Sequence, residues 1–189
     1  IEQNNNRNTQ NISTRASKYF SKIKSNINLN ATFGLQDFQQ ILNNNLTSIT
    51  NQNITISNKI NTDFASWLNI EYHAIWTFSK NKIQNQQNPT IKQQNHILSL
   101  NFYLTDNQYL AINSEYINND LFTERIENIF TDLIYRYTIK KKKIDFELQL
   151  LNLFNTTNFR TLNINDFSYI ETNFNLRPRQ VLFKIRFTL

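Results

Sequence analysis

The sequence predicts an all-β chain, an antiparallel transmembrane β-barrel, from three observations. First, Val181, Phe183, Ile185, Phe187 and Leu189 recur at every second residue of the last stretch, with Gln180, Lys184, Arg186 and Thr188 between them. A strand sends alternate side chains to opposite faces, so this stretch has an apolar and a polar face, Leu182 excepted. Second, the same alternation recurs through seven earlier segments. Third, the links between segments are short and long by turns, as in barrels with short turns on one side of a membrane and long loops on the other. A bare apolar strand ending a soluble chain would fray and aggregate. The last strand of a barrel is paired, and lipid covers its apolar face.

Composition agrees with interleaved faces. The chain of 189 residues is long enough for a sizeable core or a barrel. It holds 15 Phe, 8 Tyr and 2 Trp, yet its mean hydropathy is −0.55. With one Gly and two Pro, tight turns are expected to use Asn and Asp. The abundance of Asn, Ile, Lys and Phe reads as the mark of an AT-rich genome. Cysteine is absent, which excludes a disulfide framework and thiolate metal sites. Methionine is also absent and the sequence starts at Ile1, so a processed product or part of a longer chain is expected. No signal peptide is visible, and no apolar run is long enough for a membrane helix. The net charge of +6 owes part to Lys140–Lys143, read as a solvated turn rather than a nucleic-acid patch.

Taken in order, residues 1–10 are a polar lead-in, and 11–189 are read as barrel strands. Asn11–Tyr19 is a candidate strand, followed by a basic turn at Ser21–Ser25. Ile27 to Leu35 alternates cleanly with Asn and Thr. Asp37–Asn45 reads as a loop, Ile54 to Asn61 as a strand and Asn61–Asp63 as a turn. In Leu68–Ser79, Ile70, Tyr72, Ala74, Trp76 and Phe78 oppose Asn69, Glu71, His73, Thr77 and Ser79. Lys80–Gln94, Asn/Gln-rich and holding Pro89, reads as a loop. Leu98–Leu104 and Tyr109–Asn118 flank a turn at Thr105–Gln108, the clearest hairpin. After a polar stretch, Asn119–Glu127, Ile129–Ile139 and Ile144–Leu150 flank the lysine turn. Asn155–Leu176 reads as a long loop before the last strand. That makes eight clear strands, nine with Asn11–Tyr19. Trp67, Phe78, Tyr103, Tyr109 and Tyr137 lie near strand ends, where interfacial girdles or ordinary β-propensity account for them.

Two C-terminal motifs carry a family resemblance. Asp145–Phe159, with Asn152, Leu153, Phe154 and Asn155 at its centre, resembles the penultimate-strand signature of TonB-dependent outer-membrane receptors. Leu176–Phe187, opening on Arg177, Pro178 and Arg179, looks like the closing strand of the Bacteroidetes form. Asn101–Tyr109 and Lys140–Asp145 also fit that kind of barrel. The resemblance covers residues 95–189 by motif and the earlier part by pattern. It implies the C-terminal eight or nine strands of a twenty-two-stranded barrel in the outer membrane of a Gram-negative bacterium. It implies energised import of a bulky nutrient, such as an iron chelate, glycan or peptide. Implied partners are outer-membrane lipid, TonB, a plug domain lying outside this chain, a surface lipoprotein and the barrel assembly machinery. The family usually ends on an aromatic residue, where this chain has Leu189. A self-contained small outer-membrane barrel with a structural or adhesive role, and a soluble β-sandwich binding module, stand as alternatives.

No cofactor, metal, nucleic acid or enzymatic activity is expected. His73 and His96 lack other ligands at metal spacing. A single Gly excludes a nucleophile elbow and a phosphate-cradling loop. Glu71, Asp132, Asp145 and Glu147 are carboxylates on polar strand faces, where a lumen wall and an acid/base pair are the competing readings. With His73, Arg136, Lys184 and Arg186 they form the expected lumen-facing set. Val181, Phe183, Ile185, Phe187 and Leu189 form the expected lipid-facing set.

Overall fold

In the computed structural model the described residues are 7–42, 44–84, 86–121, 124–164 and 169–187. Their strands are β1 (Asn8–Phe20), β2 (Ser25–Leu42), β3 (Asn45–Ala65), β4 (Leu68–Ile83), β5 (Gln86–Gln87), β6 (Ile91–Thr105), β7 (Gln108–Leu121), β8 (Glu124–Ile139), β9 (Ile144–Leu151), β10 (Asn158–Ile164), β11 (Tyr169–Asn175) and β12 (Gln180–Phe187). One sheet follows the path β1-β2-β3-β4-β6-β7-β8-β9-β12, with β5 on β4; β10 and β11 form a separate hairpin. Every pairing is antiparallel. Among the described residues β1 and β12 are each paired on one side only, so the sheet does not close. Leu189, Thr188 and the first six residues lie outside the described residues.

The nine strands of this path include all nine predicted segments, but three predicted loops are strand. Asp37–Asn45 lies mostly within β2 and β3, which pair out to Leu42–Asn45. Lys80–Gln94 is mostly strand, in β4, β5 and β6. Asn119–Glu127 extends β7 and β8, which pair out to Leu121–Glu124. The turn expected at Asn61–Asp63 falls inside β3. The long loop before the last strand contains the β10–β11 hairpin. Backbone hydrogen bonding continues where the apolar alternation stops, so hydropathy marks only the middle of each strand.

Turn chemistry meets the expectation in part. Among the described residues the left-handed ones are Lys24, Asn44, Gln84, Lys143, Asn152 and Asn155, three of them Asn. Lys24 and Lys143 each close a short 3-10 turn, Ser21–Ile23 and Lys140–Lys142, by donating a backbone N–H to the carbonyl three residues back. These turns accept lysine where Asn or Asp was expected.

Register joins the alternating segments into two continuous faces. Phe183 pairs with Leu148, and the row continues through Tyr135, Leu110, Phe102 and Leu68. Farther along, Phe78, Ile54, Phe33 and Ile12 carry the apolar face to β1. Polar residues interrupt this band: Ser114 and Thr131 bond each other at 2.9 Å, and Asn58 sits between Leu29 and Ala74. The band lacks a second layer. Val181, Phe183 and Phe187 are 62–69% exposed, and buried apolar residues are few: Ile49, Ala74, Ile91, Ala111 and Ile126. The accessible area is 13231 Å². A compact chain of 22.6 kDa would expose roughly 9,500 Å². An apolar face of this extent calls for a cover that the described residues do not supply.

Candidate functional site on the polar face

The opposite face carries the charged and amide side chains. Glu71, His73, Asp132, Arg136, Asp145, Glu147, Lys184 and Arg186 all lie on it, by register and strand alternation. Leu182 is also there, opposite Gln149. The structure brings five of the eight together at the end of the sheet nearest the 140–143 turn.

Glu147 is the centre of that cluster and is 2% exposed. Its Oε2 accepts from Arg136 Nη2 at 2.8 Å and Nε at 3.2 Å, and from Arg186 Nη2 at 3.4 Å. Its Oε1 accepts from Gln149 Nε2 at 2.6 Å and lies 3.6 Å from Lys184 Nζ. Three cations converge on this enclosed carboxylate, which offsets their mutual repulsion. Asp145, beside it, accepts from Thr138 Oγ1 at 2.6 Å. These contacts tie Glu147 into the cluster by both oxygens and Asp145 to Thr138 by one.

A polar ladder leads away from Glu147 across the sheet. The Arg136 guanidinium lies 5.8 Å from the Tyr109 ring centre. Tyr109 Oη donates to Asn101 Oδ1 at 2.6 Å, and Asn101 Nδ2 donates to Asn69 Oδ1 at 3.2 Å. Asn69 Nδ2 donates to Asn61 Oδ1 at 3.0 Å and Asp63 Oδ1 at 2.9 Å. Side chains from β9, β8, β7, β6, β4 and β3 thus link across one face. Tyr103 and Tyr109 lie on this face, 5.5 Å apart ring to ring, so they are not part of an apolar-side girdle. Phe78 and Tyr137 do lie on the apolar side. Trp67, in the β3–β4 turn, stacks on Phe102 at 6.3 Å.

At the other end of β9 the motif Asn152–Asn155 forms an elbow. Asn152 and Asn155 are both left-handed, with φ of 54° each. Asp132 Oδ1 accepts from the Asn152 backbone N–H at 2.8 Å. The Asn152 side chain donates to the carbonyls of Thr156 (2.8 Å) and Arg177 (3.1 Å), and accepts from the Thr156 N–H at 2.8 Å. Asn155 Oδ1 accepts from the Arg179 N–H at 2.9 Å, and Arg179 Nη2 donates to the Leu153 carbonyl. Leu153 donates its N–H to the Thr131 carbonyl at 2.8 Å, whereas the Phe154 side chain is 66% exposed. Pro178 lies between the two arginines on the lead-in to β12. The elbow therefore fixes where β9 ends and where β12 starts.

Beyond the elbow the β10–β11 hairpin meets the polar side of β8. Phe159 lies 5.7 Å from Phe130 and 5.0 Å from Phe174 by ring centres. Asn128, on the same face as Phe130, donates from Nδ2 to the Arg160 carbonyl at 2.9 Å. Over β1–β4 the same face holds a groove of about 380 Å³ around Gly34, lined by uncharged groups including Asn11, Asn53, Ser79 and Asn81. Glu71 pairs in register with Asn61 and Ser99, and His73 with Lys59 and Ile97.

The two histidines lie on opposite faces. His96 is on the apolar side, where its Nδ1 is 2.7 Å from Tyr72 Oη and its ring meets Trp76 and Tyr116. Among the described residues no group of three His, Asp or Glu side chains is placed to hold a metal. Alternation suggested which face each polar residue takes. The ladder and the elbow depend on register, which a single segment does not reveal.

No protein-family model, curated protein or solved structure matches this chain.

Proposed function

We propose that this chain is a C-terminal segment of the barrel of a TonB-dependent receptor of the Bacteroidetes type, in the outer membrane of a Gram-negative bacterium. On this reading it is a non-enzymatic wall of a transporter for a bulky nutrient. Outer-membrane lipid covers the apolar face, and the polar face lines the lumen. A plug domain, TonB, the assembly machinery and a surface lipoprotein would be its partners.

The observation that carries this reading is the apolar band across all nine strands of the sheet path, opposed by a hydrogen-bonded polar face. The β4 column runs from Ile70 to Phe78, roughly 27 Å along the strand at about 3.4 Å per residue. Tilted by about 40°, it rises ~21 Å, close to the ~25 Å apolar belt of membrane barrels. The Asn152–Asn155 elbow gives the resembling motif a physical task, holding the last two strands in register.

Strand parity and packing weigh on the alternatives. β1 and β12 are the first and ninth strands of an antiparallel path, so they run the same way. Closing them directly would create a parallel pair, whereas an odd number of further strands closes an antiparallel barrel. That counts against a self-contained small barrel. A sandwich needs a second sheet over the apolar face, but the described hairpin packs on the polar side.

A charge-placement series tests the reading. Leu148→Lys and Phe183→Lys are expected to cost about 2–4 kcal/mol each in membrane assembly, and Gln149→Lys on the other face much less. Equal tolerance on both faces would overturn the lipid-facing assignment.

A further inference from the structure

We propose that Lys80, Lys82 and Lys92 form a binding patch for the phosphate groups of anionic lipid headgroups, at the rim of the apolar band. The proposal rests on the membrane reading above and adds a ligand class to it.

The position of the lysines carries the argument. Lys80 and Lys82 continue the β4 column of Ile70, Tyr72, Ala74, Trp76 and Phe78, so they project from the apolar side. Lys92 lies directly opposite Phe78 on β6, diagonal to Lys80. At the same level the other face presents the uncharged Ser79, Asn81 and Gln93. Lysines serving a water-filled lumen would occupy that other face. Instead, the cations begin where the apolar side chains end, on the side that lipid would cover.

Phe78 and Trp76 are the rings nearest the lysines on β4, and an amphipathic ring such as tryptophan favours the headgroup level of a bilayer. Apolar column and cations thus follow one another in the order of acyl chain and phosphate.

Lys80 and Lys82 face only the uncharged Gln52, Thr50 and Gln87 in register, whereas Lys92 faces a carboxylate. Among the described residues none of the three has an ion-pair partner. Asp120 faces Lys92 in register on β7, and it also faces Arg125 on β8. Arg125 is taken by Glu127 and by Tyr116 Oη. Asp37 is on the same face but two strands from Lys82, with Thr50 between them. Lys82 and Lys92 are exposed, and Lys80 is half-buried.

The test uses the full chain and flotation with vesicles of phosphatidylcholine, alone or mixed with phosphatidic acid, followed by tryptophan emission. The wild type is expected to prefer the phosphatidic acid vesicles, with the preference shrinking as salt rises. Each lysine near an anionic surface contributes about fivefold, so the triple variant Lys80→Gln/Lys82→Gln/Lys92→Gln loses on the order of 100-fold of that preference. Its partition into neutral vesicles should stay unchanged, which checks that it still folds. Lys59→Gln, on the other face, should leave the preference intact. An unchanged preference in the triple variant overturns the patch. So does competition by inorganic phosphate at concentrations too low to screen charge, which would make free phosphate the ligand. Failure of the wild type to enter either vesicle overturns the membrane reading and the patch with it.

Discussion

Replacing Asn152 separates two contributions to the elbow that ends β9. Its backbone is left-handed, at φ 54°. An alanine there pays roughly 1–2 kcal/mol for Cβ crowding, which glycine does not. The side chain makes three hydrogen bonds, to the Thr156 carbonyl, the Thr156 N–H and the Arg177 carbonyl. At about 0.5–1 kcal/mol each in this part-exposed setting, their loss costs roughly 2 kcal/mol. Asn152→Gly removes the bonds and the Cβ crowding but gains flexibility in the unfolded chain, so about 1–2 kcal/mol is expected. Asn152→Ala loses the same bonds and keeps the crowding that asparagine already bears, so about 2–3 kcal/mol is expected. The assay is equilibrium urea unfolding of the lipid- or detergent-held chain, followed by tryptophan emission, with the slope compared across variants. Exchange of the Leu153 amide, bonded to Thr131, reports the elbow locally. A neutral Asn152→Gly would refute the side-chain clamp. An Asn152→Ala no worse than the glycine variant would refute the backbone argument.

Glu147→Ala removes the anion among Arg136, Lys184 and Arg186, and is expected to cost about 2 kcal/mol in the same unfolding assay; partial exposure of the cations keeps the loss below that of a fully buried pair. Tyr109→Phe deletes the 2.6 Å bond to Asn101 and should cost about 1 kcal/mol, with faster amide exchange along β6 and β7. Gly34→Ala is expected to be neutral or to stabilise by up to about 1 kcal/mol, because only the end of the exposed Asn11 side chain, 3.1 Å from the added Cβ, must shift. A loss larger than about 1 kcal/mol there would mean that the neighbouring strand cannot give way.

Legibility of the fold follows the apolar band. Ile144–Leu150 and Tyr109–Asn118 read as strands because one face is apolar and the other polar, and both are strands. Asp37–Asn45, Lys80–Gln94 and Asn119–Glu127 read as loops because Asn, Gln and Lys there follow no alternation. They are largely strand nonetheless, held by backbone ladders that any side chain permits. The β10–β11 hairpin was hidden for the same reason. Lys24 and Lys143 were missed as left-handed turn residues because that conformation favours Asn in general but is set here by the 3-10 turns before them. On the polar face, Arg136, Glu147, Lys184 and Arg186 were recognisable as sharing a side, since alternation alone dictates that. Their convergence on one carboxylate follows from a register that pairs Glu147 with both Arg136 and Lys184. The motif residues Asn152 and Asn155 stood out by resemblance, and their left-handed backbone and side-chain bonds supply the physical reason for asparagine at both places.

The most direct test of the two-faced sheet is site-directed spin labelling along β9 and β12, which the absence of native cysteine makes clean. Single cysteines at positions 145 to 150 and 181 to 186 would be labelled in vesicles, and their collision rates with oxygen and with a water-soluble nickel chelate compared. The account predicts a period of two in both strands, with 146, 148, 150, 181, 183 and 185 favouring oxygen and 145, 147, 149, 184 and 186 favouring the chelate. A profile without that period, or oxygen-rich positions on the Glu147 side, would contradict it.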